Sequence, residues 1–154
     1  MNARQMIHKL YRTPALLVLA LPLVAGNAVA VTYNLVAMPF GKLMPDGTGV
    51  LMWGFSLDNG TFMPSTPGPA LEVPPGDTSL TINLRNFLYE PVSIVIPGQA
   101  MPTSSLGAPL APVKFPADSQ GRQRVRSLTA EAAPFVGSQS YTWNNLKPGT
   151  YLYH

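Results

Sequence analysis

Cysteine is absent from the sequence. Disulfides are therefore excluded, and with them any thiolate nucleophile or thiolate metal ligand. A blue-copper electron-transfer centre needs a cysteine sulfur, so none can be built here. Histidine is nearly as scarce: only His8 and His154 are present. A Ser-His-Asp arrangement would have to use His154, and no serine motif stands near it. The seven acids are scattered singly, with no pair spaced for acid–base work. No glycine loop follows a strand and opens a helix, which removes the usual phosphate cradles. Amphipathic helical patterning is scarce throughout.

One long apolar run is present, near the start. "MNARQMIHKLYR" carries Arg4, Lys9 and Arg12 and no acid, and "TPALLVLALPLVAG" follows it. Next comes "NAVA", with Ala28 and Ala30 as small residues suited to signal-peptidase cleavage. The run is shorter than the roughly 20 residues of a spanning helix, and Pro22 interrupts it. The pattern predicts a signal peptide over residues 1–30, cleavage after Ala30, export to a periplasmic or secreted location, and no stable membrane span afterwards. Three of the ten basic residues lie in this leader and none of the seven acids does, so residues 31–154 are formally neutral. No basic patch remains to suggest nucleic acid.

The remainder reads as one domain, residues 31–154, long enough to bury a core without disulfides. In "TSLTINLRN", Leu80, Ile82 and Leu84 alternate with Thr81, Asn83 and Arg85, the period of a half-buried strand. "VTYNLVA", "GVLMWGFSL", "EPVSIVI", "QSYTWNNL" and "GTYLYH" are further predicted strands. "DNG", "PPGD" and "KPGT" supply turns between them. Short strands at this spacing predict an all-β sandwich or barrel.

Several features have bland expectations. Residues 97–121 hold five prolines and little periodicity, and read as a long loop. Arg122, Arg124 and Arg126 recur at period two, as on the solvated face of a strand. "EAAPF" is expected to hold one helical turn. "NGT" at Asn59 fits a glycosylation sequon, but is expected to be a tight hairpin turn with positive φ at both central residues. Met38, Met44, Met52, Met63 and Met101 form no cluster by spacing and are expected to fill core.

"PGPALEVPPGDTSLTINLRN" followed by "YTWNNLKPGTYLYH" is more specific. In order and spacing, Pro67, Gly68, Pro69, Gly76, Asp77, Asn86, Tyr141, Gly149, Thr150, Tyr153 and His154 resemble the first, plastocyanin-like domain of multicopper oxidases. The resemblance covers about residues 48–154. It implies a cupredoxin-like Greek-key β-sandwich, copper as cofactor, and an oxidoreductase as the parent activity. It also implies two His-x-His pairs as copper ligands. The first pair falls on "SIVIPG", where Val95 and Pro97 occupy the ligand positions with no donor atom for copper. The second pair begins at His154, the one metal-ligand candidate in the sequence; its partner would lie two residues further on.

Two expectations follow from the resemblance. One is the front part of a longer exported oxidase, with the last strand or strands and a C-terminal cupredoxin domain missing. The other is a non-catalytic exported sandwich that binds a partner chain at its open sheet edge. On either, no catalytic residue is assigned, and this chain alone is expected to hold copper weakly, through a neutral imidazole nitrogen of His154, and to be inactive as an oxidase.

Overall fold

The computed structural model describes residues 30–154. The predicted leader, residues 1–30, therefore lies outside the described residues except for Ala30. The described residues are all-β, and no helix among them is long and apolar enough to cross a membrane. The strands are β1 (Val31–Leu43), β2 (Gly49–Leu57), β3 (Leu80–Asn86), β4 (Val113–Lys114), β5 (Val125–Ser127) and β6 (Gly137–Trp143).

Four of them form the main sheet, in the order β2-β1-β3-β6. β1 runs antiparallel to β2 and parallel to β3, and β3 runs antiparallel to β6. The alternation in "LTINLRN" fixes the register: Leu80, Ile82, Leu84 and Asn86 are buried while Arg85 is exposed. Tyr141 and Trp143 bring the same face of β6 onto the core. β1 contributes Leu35 and Ala37 to that core. Val36 and Ser56 are buried too. The backbone N–H of Met63 donates to Ser56 Oγ at 2.8 Å, and Phe62 packs edge-on against Phe87.

β1 continues through Pro39, beyond the predicted "VTYNLVA". Its pairing with β3 ends at Ala37, so from there it is an edge strand and Pro39 takes nothing from a central ladder. The two-stranded arm that results runs past the core and leaves Leu43 and Leu51 exposed.

A second, irregular layer closes the core. Residues 91–96 are extended but are not a regular strand. On one edge, Val92 exchanges both backbone hydrogen bonds with Ala132 (3.2 and 2.8 Å). Three residues on, at the opposite edge, Val95 exchanges both with His154 (3.0 and 3.1 Å). Val92, Ile94 and Ile96 turn toward the core, with Ile94 fully buried. The predicted strands "EPVSIVI" and "GTYLYH" are thus extended segments, the first joined by one residue pair on each edge and the second by the Val95–His154 pair alone. An antiparallel ribbon, β4–β5, makes the second sheet among the described residues.

Other expectations are corrected. "EAAPF" forms no helix: Ala132 is tied to Val92, and Phe135 and Val136 both take positive φ (54° and 55°) at the turn into β6. The "DNG" turn is not a tight hairpin with two positive φ values. Only Gly60 is positive (88°), Asn59 Oδ1 accepts the Thr61 N–H at 3.1 Å, and the returning backbone meets β2 at a single bridge, Ser65 to Phe55. None of the five methionines fills the core. Met44, Met63 and Met101 are exposed, and Met38 and Met52 sit half-buried where β1 and β2 leave the core. Residues 97–121 are largely loop, as expected, with β4 inside the stretch, and Thr103 anchors them by exchanging two backbone bonds of 2.8 Å with Thr142 of β6.

Candidate functional site

The motif pieces named above converge. The Tyr153 hydroxyl donates to Pro69 O at 2.7 Å, joining "KPGTYLYH" to "PGPA" across 84 residues. Its ring also packs on Phe55. Gly68 is required there: a Cβ on it would stand 2.6 Å from the Tyr153 hydroxyl oxygen. Burial pushes the Tyr153 hydroxyl up to about 12. Burial raises Tyr141 further, and its hydroxyl donates to Ala130 O at 2.8 Å.

Asn86 organises the corner after β3. It is completely buried, and its Nδ2 donates to Glu90 O (2.7 Å), Ala132 O and Ala133 O (both 3.1 Å). Its Oδ1 accepts the Leu88 N–H at 2.9 Å. The side chain therefore fixes where residues 91–96 begin and holds Ala132 beside them.

This framework presents one outward face. With Val92, Ile94 and Ile96 turned inward, Ser93 and Val95 face out. Residues that exchange both backbone hydrogen bonds stand directly opposite, about 5.5 Å apart at Cα, with side chains on one side of the sheet. Val95 and His154 are such a pair. The face floors an open cleft of about 590 Å³, which Trp53, Phe115, Arg126 and Glu131 also line. His154 is exposed.

Arg122, Arg124 and Arg126 are all exposed, as expected of a solvated face, and two of them also carry ion pairs. Arg126 forks onto Glu131, Nε to Oε1 at 3.1 Å and Nη2 to Oε2, and the Glu131 side chain is only 9% exposed. This carboxylate holds the Arg126 guanidinium above its ordinary range. Arg124 and Arg126 also each approach the Phe115 ring to 5.9 Å. Arg122 pairs with Asp118 at 2.9 Å, and the backbone and side-chain bonds from Arg122 hold that carboxyl below its usual value. Sequence reasoning missed Glu131 and Phe115 as neighbours of the site, because neither shares a local pattern with His154.

Chemically, the cleft is poorly furnished for hydrolysis. Ser127 Oγ donates to Thr129 O at 2.9 Å and lies 2.7 Å from Ser93 Oγ, so Ser93 donates to it. Neither serine is hydrogen-bonded to His154. The donor set does not fit a copper cluster either. Val95 and Pro97 have no ligand atoms, Glu131 is committed to Arg126, and no group of three or more His, Asp or Glu able to hold a metal occurs among the described residues.

The sequence matches no protein-family model, and no curated protein matches it.

Proposed function

We propose that the protein is a plastocyanin-like, cupredoxin-type domain of an exported multicopper-oxidase-type protein, whose copper face keeps His154 and has lost the pair at Val95 and Pro97. The observation that carries this reading is the reciprocal Val95–His154 pairing. The resemblance assigns these two positions to two different ligand pairs, 59 residues apart in sequence, and ligand pairs that share a cluster must face each other. The meeting of Pro69 with Tyr153, and the role of Asn86 at the corner, support the same alignment of motifs.

On this reading the domain alone is no oxidase. One imidazole, without a second ligand or a partner orienting its ring, holds copper loosely and without selectivity. A copper(II) titration followed by electron paramagnetic resonance tests it. The wild-type spectrum is expected to show weak binding with a single nitrogen ligand, and His154→Ala to abolish that signal. Tight binding that survives His154→Ala would place the ligands elsewhere and end the proposal.

A second reading is favoured by the outer edge of the last segment. Leu152 is 81% exposed, and Tyr151 and Tyr153 make no backbone–backbone hydrogen bond among the described residues. Such an edge can accept a strand from a partner protein.

A further inference from the structure

We propose that Asn59 is a self-modifying site, which deamidates through a cyclic imide to aspartate and isoaspartate at the exit of β2. Asn59 is exposed, and its Oδ1 accepts the Thr61 N–H at 3.1 Å. That bond folds the carboxamide back over the Asn59–Gly60 peptide, as in an Asx-turn. It also draws electron density from the carboxamide oxygen, which makes Cγ a better electrophile. The nucleophile is the Gly60 backbone nitrogen. Its N–H makes no hydrogen bond among the described residues, and nothing lies within 4 Å of where a Gly60 Cβ would stand. No residue beyond its two chain neighbours crowds that side of Gly60.

The step balances without any partner but water. Gly60 N bonds to Asn59 Cγ and gives up its proton; the Cγ–Nδ2 bond breaks, and Nδ2 leaves with that proton as ammonia. Water then opens the imide. Hydrolysis at the Asn59 Cγ side leaves aspartate in the normal backbone. Hydrolysis at the original peptide carbonyl leaves isoaspartate.

The other described asparagines are protected in ways the structure makes explicit. Asn34 and Asn83 lie in the β1–β3 ladder, and Asn83 Nδ2 donates to Asn34 Oδ1 at 2.9 Å. Asn86 is buried, and the nitrogen that would attack it, Phe87 N, donates to Ala37 O at 2.8 Å. For Asn145 that nitrogen is Leu146 N, which donates to Thr78 O at 2.9 Å. Asn144 is exposed, but its nucleophile would be Asn145 N, flanked by a side chain. At Asn59 the new carboxylate would sit beside Asp58, which holds Arg85 at 2.7 Å, and would take residues 30–154 from formal neutrality to one negative charge.

The test is peptide mapping of the purified full-length protein during incubation in mildly alkaline buffer, with isoaspartate detected by enzymatic methyl transfer. A synthetic peptide of residues 55–65 is the unfolded reference. Asn59 is expected to convert within about tenfold of the peptide's rate, while the other described asparagines remain intact. Gly60→Ala is expected to slow conversion by about tenfold or more, and Asn59→Gln to abolish it. Asn59 persisting unchanged in the folded protein after the peptide has fully converted would overturn the proposal. So would Asn144 converting ahead of it, or Gly60→Ala converting at the wild-type rate.

Discussion

Replacing Val95 by histidine should create a chelate where the wild-type protein offers one imidazole. Val95 is only half-buried, faces the cleft, and stands opposite His154 in a reciprocally hydrogen-bonded pair, so the new ring needs no core space. A Cα separation of about 5.5 Å lets two imidazoles reach one ion at metal–nitrogen distances of about 2.0–2.1 Å. The second imidazole then binds intramolecularly, a gain of about 10²–10⁴ in affinity. That converts to about 3–5.5 kcal/mol of added metal-binding free energy. Isothermal titration with copper(II), then with zinc(II), reads the change directly. The gain should vanish when His154→Ala is added to Val95→His, and should fall on acidification, because both rings bind metal only when neutral. Affinity unchanged by Val95→His in a folded protein would mean that positions 95 and 154 do not share a face. The alignment of "SIVIPG" with the first ligand pair would then be wrong.

Three further expectations test the framework. The protein is naturally free of cysteine, so Val95→Cys combined with His154→Cys should yield a single intramolecular disulfide on mild oxidation, visible as a mobility shift reversed by reductant; failure to cross-link would contradict the pairing. Asn86→Ala should cost about 3 kcal/mol in denaturant unfolding, because it strips a buried N–H and buried carbonyls of their partner, whereas a loss below about 1 kcal/mol would show that the corner does not depend on it. Tyr153 and Tyr141 have hydroxyls raised by burial, so they favour the folded state while neutral. That contribution is complete below the unfolded tyrosine value of about 10 and is lost as pH rises toward 12. An ultraviolet titration should show these two rings ionising late, together with unfolding; all tyrosines titrating near pH 10 in a protein that stays folded would refute it.

Much of the main sheet was legible in the residues themselves. "LTINLRN" alternates strictly because one face meets the core, and β2 runs over the very residues of "GVLMWGFSL". What escaped notice depends on contacts distant in sequence. "EPVSIVI" and "GTYLYH" look like ordinary strands by composition, yet each is held by single residue pairs, since the prolines flanking 92–96 interrupt a ladder. The methionines look like core filling by type, but β1 and β2 carry two of them beyond the core. Arg126 and Glu131 are five residues apart on no common element, so only the fold reveals their fork. His154 stood out because histidine is so rare in the sequence. Its neighbour Val95 could be named only through the resemblance, and its position opposite His154 only through the backbone.

An anomalous difference map at the copper edge, from crystals of the protein soaked in copper(II), reads whether His154 stands on a copper-binding face. One partially occupied peak is expected at the His154 imidazole in the cleft beside Val95, removed by His154→Ala. A fully occupied peak elsewhere, at the exposed methionines for example, or a second metal beside the first, would contradict that role for His154.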